Sequence, residues 1–425
     1  MRGPRTASTF VGQRVRKLVF VAVLFGALWL APGAFAAWCG SAETATDLPD
    51  AVTGQQVHAI VAVPSDGADN FAADASAMQD DAALIDTWWR GQDPTRTPRF
   101  DQAVFGSTTC LDISFVRLSG TGASYTALGV DGAFNSITNE LARTGNTYKD
   151  YVVYYDGPSV EANVCGVGGT RAFDTGLSYA IVLTQGCPGV PNSTIAAHEL
   201  LHALGAVPAG APHACANDTA HVCDSTNDIM YPYTSGQPLS QLYLDFNHDD
   251  YYGHSGSWVD IRDSLWLRHL DTPEEALNVT FSGGGTVTSD VPGLVCTTAC
   301  TTQWDQGSSV SLSATPASGQ RFVHWSGACS GNGVCPLKLD QPETASAVFG
   351  PARIPLRVAV TGRGAIHCSP ACTKTFPGGA ALTLRAVATA GWKFVRWSGG
   401  CTGARLTCRP KTDFALSVRA TFRRR

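Results

Sequence analysis

Long apolar stretches are scarce in this chain of 425 residues. After residue 31 none is long enough to cross a bilayer, so no membrane span is expected once the N-terminal segment has been removed. Charge is scarce too: Asp, Glu, Lys and Arg make up 15% of residues. The acids outnumber the bases and concentrate in residues 37–270, which is the wrong sign for binding phosphate backbones. No nucleic-acid partner is expected, and no nucleic-acid motif is present. A nucleotide loop is absent as well, because Gly166-Val167-Gly168-Gly169 lacks the lysine and following helix that such loops need. Methionine is rare, with 3 in all, one of them the initiator. A methionine inside a recognisable motif therefore carries information.

The N-terminus has the grammar of an export signal. Arg2, Arg5, Arg14, Arg16 and Lys17 precede an apolar run over residues 18–31, and Ala34-Phe35-Ala36 supplies a small-residue cleavage site. Residues 1–36 are read as a signal peptide and the mature protein as secreted and extracellular. All 14 cysteines follow that site, and an even count in an exported chain predicts disulfides.

Charge divides the remainder. Residues 37–270 hold 9 Lys and Arg against 27 Asp and Glu, whereas residues 271–425 hold 16 against 8. The basic C-terminal part is a candidate for contact with a cell-wall or other acidic surface polymer. In the acidic part, strand-like runs at 56–64, 112–118, 151–155 and 179–183 alternate with helical periodicity at 66–90 and a shorter helix at 134–142. That alternation predicts an α+β unit with a mixed sheet and helices packed against it. Cys39 is expected to pair with Cys110, and Cys215 with Cys223.

Past residue 271 short strands separated by Gly, Ser, Pro and Thr take over, and the sequence repeats itself. Cys296, Cys300, Phe322, Trp325 and Cys329 recur 72 positions later as Cys368, Cys372, Phe394, Trp397 and Cys401, and Cys335 recurs as Cys408. The copies span 276–350 and 355–423. A duplicated unit should be self-contained, so the expected disulfides are Cys296–Cys300, Cys329–Cys335, Cys368–Cys372 and Cys401–Cys408. The Cys-x3-Cys pair and the F-x-x-W-S-G-x-C block resemble divergent InlB-type B repeats. That resemblance implies small all-β, β-grasp-like accessory domains.

Chemistry is concentrated at His198-Glu199-Leu200-Leu201-His202. Histidines four apart share one face of a helix and can present two nitrogens to one metal ion, while Glu199 flanks it. Such a match arises by chance in roughly 0.4% of chains of this composition. Asn192-Ser193-Thr194 offers an N-cap, and Gly205 a left-handed stop.

Downstream, Asp228-Ile229-Met230-Tyr231-Pro232-Tyr233 resembles the Met-turn of metzincin zinc peptidases, most closely its matrixin-like form. The metzincin pattern H-E-x-x-H-x-x-G-x-x-H is met at His198, Glu199, His202 and Gly205, but Pro208 stands at the last ligand position. His213, five residues on, is the first candidate for the third zinc ligand. His221 and a carboxylate (Asp218, Asp224 or Asp228) are the alternatives. The resemblance implies a secreted zinc endopeptidase acting on a protein or peptide, with Glu199 taking a proton from zinc-activated water and Tyr231 or Tyr233 near the oxyanion. The competing reading is a surface- or wall-binding protein whose peptidase domain is vestigial. Asp245, Asn247, Asp249 and Asp250 also bunch oxygen donors closely enough to suggest a structural calcium site.

Overall fold

The computed structural model describes residues 38–40, 43–143, 145–169, 177–233 and 236–425. The expected signal peptide, residues 1–36, lies outside the described residues. Among them the chain is mostly β, with three α-helices, all before residue 205.

Five strands build the sheet of the N-terminal part: β1 (Gln56–Val63), β2 (Ile113–Arg117), β3 (Lys149–Tyr155), β4 (Gly166–Gly168) and β5 (Tyr179–Leu183). They lie in the order β2-β1-β3-β5-β4. The first four run parallel, and β4 closes one edge antiparallel to β5. Strands β1, β3 and β5 are buried along their whole length. This is what a parallel sheet covered on both faces requires, and it explains why they read as apolar runs.

Alternate side chains serve alternate faces. Val57, Ala59, Val61, Val152, Tyr154, Ala180 and Val182 pack with helices α1 (Phe71–Gln92) and α3 (Asn192–Leu204). Ile60, Ala62, Tyr151, Val153, Tyr155 and Ile181 pack with α2 (Gly122–Leu141) on the other side. Helix α2 is longer than its sequence pattern predicts. Thr121 caps it by accepting from the Ser124 N–H, and its regular geometry breaks at Gly129, where φ is 65°. That break masks the periodicity of its first half.

Beyond α3 the chain runs through irregular segments and a small hairpin of β6 (Ala214–Cys215) and β7 (Asp218–Val222). Each C-terminal copy is then a pair of sheets without a helix. In the first, a sheet of Glu274–Ser282, Cys300–Asp305, Gln320–Gly327 and Glu343–Pro351 accompanies a second of four strands. In the second copy the corresponding strands are Arg353–Thr361, Thr375–Pro377, Trp392–Gly399 and Leu416–Arg424. All-β character is as expected, whereas β-grasp-like is replaced by a sandwich-like pairing of sheets. Trp325 and Trp397 are core residues, and each indole N–H donates to a loop carbonyl, Gly333 and Arg405, at 2.8 Å.

Seven disulfides are present, and all six of the expected pairs are among them. The seventh, Cys165–Cys187, fastens the loop before β4 to the loop that leads into α3. The first copy is seated on the N-terminal part: Arg99 pairs with Asp305, and Thr53 Oγ1 donates to the Gln303 carbonyl at 2.6 Å.

Candidate functional site

Helix α3 begins after Pro191, whose extended backbone starts it without a side-chain cap. The Asn192-Ser-Thr segment is thus the first turn rather than the cap, and Thr194 Oγ1 donates instead to the Gln237 carbonyl. Gly205 ends the helix at φ 92°, the left-handed geometry that releases the chain toward the hairpin.

Three imidazoles meet at the open side of α3. His221 Nε2 lies 3.2 Å from His198 Nε2 and 3.2 Å from His202 Nε2. Nitrogens bound tetrahedrally to zinc at about 2.0–2.1 Å stand about 3.3 Å apart, so the observed spacing fits one shared ion. Protonation supports the same conclusion. Burial pushes His198 down to about 4 and His202 well below its ordinary value, so both offer neutral lone pairs. His198 Nδ1–H donates to the Ile229 carbonyl at 2.6 Å, which leaves its Nε2 without a proton. A single proton on His221 Nε2 can serve only one neighbour, and the remaining buried lone pair calls for a cation.

The third member of this cluster is therefore His221, on β7, and not His213. His221 is carried there by the hairpin: Cys215–Cys223 closes its ends, and the Val222 N–H donates to the Met230 carbonyl at 3.1 Å. Asp218 Oδ2 stands 2.9 Å from His221 Nδ1. His213 lies just outside the ring, where its carbonyl accepts from the Cys223 N–H. Its side chain turns to Asp250, which receives the His213 backbone N–H at 2.8 Å and faces Nδ1 at 3.0 Å. That hydrogen bond raises the His213 pKa, a setting that favours a proton.

The carboxylate alternatives are also placed. Asp228 is buried and spent on the Met230 N–H, the Phe246 N–H and the Tyr251 hydroxyl, and burial pushes it up to about 7. It holds the turn at Met230, and its carboxylate is not grouped with the three imidazoles. Asp224 groups with His213, Asp249 and Asp250. The calcium quartet is not assembled, because Asp245 is buried and accepts the backbone N–H groups of Asp250, Tyr251 and Tyr252.

Glu199 is 6% exposed and lies against β4. Burial pushes its carboxyl up to about 8, while a hydrogen bond from the Gly168 N–H favours the ionised form. The glycines of β4 permit this approach. A Cβ on Gly166 would come within 2.6 Å of Glu199 Oε1, and one on Gly168 within 2.4 Å of the His202 Cβ. The lack of a side chain at both positions is what lets α3 pack against the sheet edge. Met230 is fully buried next to Ile229, whose carbonyl orients His198.

His198, Glu199 and His221 line a cleft of about 550 Å³. Its walls include Val190, Thr194, Ile195 and the segment Tyr231-Pro232-Tyr233, with Tyr233 77% exposed at the mouth. The Glu199 carboxylate and two of the three clustered imidazoles, those of His198 and His221, thus share one cleft.

Comparison with known proteins bears on the other end of the molecule. No curated protein matches the chain. Two solved structures with some likeness are pilins. The major pilin T-13 of Streptococcus pyogenes serotype GAS131465 is 8% identical, with 36% of this chain and 97% of the pilin covered and a TM-score of 0.14. A second major pilin of Streptococcus pyogenes is 6% identical, with 36% and 98% covered and the same TM-score of 0.14. Residues 276–352 and 354–425 match the family model of the divergent InlB B-repeat domain, which assigns the duplicated C-terminal part of the chain.

Proposed function

We propose that residues 37–270 form a zinc-dependent endopeptidase of the metzincin-like type, exported to the cell exterior with two divergent InlB B-repeats behind it. The observation that carries this reading is the convergence of three Nε2 atoms, those of His198, His202 and His221, at a cleft that His198, His221 and Glu199 line.

In this reading His198, His202 and His221 hold the zinc, whose chemistry there would be Lewis-acid activation of water and of the scissile carbonyl. Glu199 is the proton carrier. It takes a proton from the attacking water and delivers it to the amine that leaves. Burial alone would keep its carboxyl protonated at neutral pH, and the Gly168 N–H together with a nearby cation favours the ionised, basic form. The Ile229 carbonyl orients the ring of His198 by accepting from its Nδ1–H, and the Asp218 carboxylate stands beside Nδ1 of His221. Tyr231 stands in the cleft wall where a hydroxyl can reach a developing oxyanion. A substrate lying extended would run beside β4, the edge strand closest to Glu199.

Seven disulfides support an oxidising, extracellular setting. The competing reading of a vestigial site is disfavoured by the intact Glu199 and its glycine-lined seat. Incubation of the mature protein with casein, with and without a chelator, tests the activity. Cleavage that the chelator abolishes and added zinc restores supports the proposal, and absence of cleavage by the zinc-loaded protein refutes it.

A further inference from the structure

The two C-terminal copies share a fold but not a charge. Residues 276–352 carry two Lys and Arg against four Asp and Glu, whereas residues 354–425 carry thirteen against one. That one acid, Asp413, is paired with Arg321 of the first copy. The second copy thus keeps its cations with no acid of its own to neutralise them.

Strand register places five of these cations on one face. In the sheet of Arg353–Thr361, Leu416–Arg424 and Trp392–Gly399, Lys393 lies opposite Arg423, Arg396 opposite Thr421, Arg419 beside Ala359 and Ser398, and Arg357 beside Ser417. All five are exposed, while the alternate residues Leu416, Val418, Ala420 and Phe422 are buried in the core. Residues two apart on a strand are about 6.8 Å apart, so the row from Arg423 to Arg357 crosses the face diagonally over about 20 Å. Arg419 is steadied by the neutral Thr361 hydroxyl at 3.1 Å, which leaves its guanidinium charge uncompensated.

The same register in the first copy gives a neutral face. Asn278 stands at the position of Arg357, Ser346 at that of Arg419, His324 at that of Arg396 and Gly350 at that of Arg423. Only Arg321 matches a cation, Lys393, and it is the residue committed to Asp413. The fold therefore does not demand the arginines.

We infer that this face of the second repeat binds a linear acidic polysaccharide, one bearing carboxylate or sulfate groups along its length, and that the first repeat does not. Guanidinium groups match such oxyanions with paired N–H donors. Around the cations the face displays Ser, Thr and Ala, with no aromatic platform on which bases could stack. It also has no apolar wedge to enter a bilayer. A row of spaced charges on a flat sheet suits an extended chain. This inference stands apart from the peptidase reading, because the face lies on the second repeat and the cleft in the N-terminal part.

The test measures binding of fluorescein-labelled heparin and of polygalacturonate to residues 37–425 across a salt series. One variant, the row variant, removes three of the five cations of the face (Arg357→Ser, Arg396→Ser, Arg419→Ser). A second removes three exposed cations elsewhere on the repeat (Arg385→Ser, Arg409→Ser, Lys411→Ser). The row variant should weaken binding of at least one polymer tenfold or more and flatten its salt dependence, with an unchanged melting temperature, and the second should lose less than threefold. Equal losses in both variants overturn the inference, as does no binding of either polymer. Tighter binding of duplex DNA or of phosphatidylglycerol vesicles by the unaltered protein overturns it too.

Discussion

Among the described residues of the N-terminal part Lys149 is the most deeply buried cation, and Lys149→Met removes its charge while keeping most of its bulk. The ammonium is 1% exposed and lies 2.6 Å from Asp101 and 2.7 Å from each of Asp47 and Asp50. Burial alone would lower its pKa, but the three carboxylates override this and hold it above the ordinary lysine value. Asp101 is itself fully buried and shares Oδ2 with His58 Nδ1 at 2.6 Å, while its other oxygen has no partner. At an effective dielectric of about 20, each contact near 2.7 Å corresponds to about 6 kcal/mol of gross attraction, largely offset by desolvation. What the substitution exposes is the difference, a buried carboxylate left with only His58. Losing one partner of a buried pair costs about 3–5 kcal/mol. For a unit of this size that corresponds to a melting-point drop on the order of 10 °C. Asp47 is 35% exposed, so Asp47→Asn should cost under about 1 kcal/mol. Thermal unfolding followed by circular dichroism compares the three proteins. A loss below about 1 kcal/mol for Lys149→Met would refute the claim that the buried Asp101 carboxylate depends on this ammonium.

Two further predictions follow from the geometry. Gly168→Ala puts a methyl group within 2.4 Å of the His202 Cβ and 2.8 Å of the Glu199 carbonyl oxygen, so α3 must move from β4. It should destabilise by about 1–3 kcal/mol and weaken zinc binding, checked by unfolding and a zinc titration. Asp93, which burial would raise, is instead held down at about 2 by hydrogen bonds from Thr95, Arg262 and Tyr252. A depressed pKa contributes stability that is fully present above about pH 4 and disappears as the pH falls toward 2. Asp93→Asn should therefore cost on the order of 2 kcal/mol at pH 7, with the difference vanishing near pH 2 in a pH series of melts.

Much of this arrangement was legible in the residues. The i, i+4 histidines of α3, the Gly205 stop and six of the seven disulfides followed from spacing and compartment. The third imidazole did not, because a ligand delivered by a hairpin obeys tertiary geometry and no helical period. A signal did exist: Cys215 and Cys223 are eight positions apart, and a strand leaving that ring toward Met230 carries His221 on it, while His213 lies outside. The role of Gly166 and Gly168 was hidden for a similar reason, since close approach of a helix to an edge strand leaves no periodic trace. In the acidic loop, the bunching of Asp245, Asp249 and Asp250 resembled an ion site. Backbone N–H groups satisfy the first, and His213 faces the other two.

The central claim is most directly tested by measuring zinc stoichiometry together with casein cleavage for the mature protein and for Glu199→Gln, His221→Ala and His213→Ala. The account predicts one zinc and chelator-sensitive cleavage in the unaltered protein. Glu199→Gln should keep the metal and lose activity by about 10²-fold or more. His221→Ala should lose both, and His213→Ala should keep both. Full zinc occupancy and cleavage in His221→Ala, or undiminished cleavage in Glu199→Gln, would contradict it.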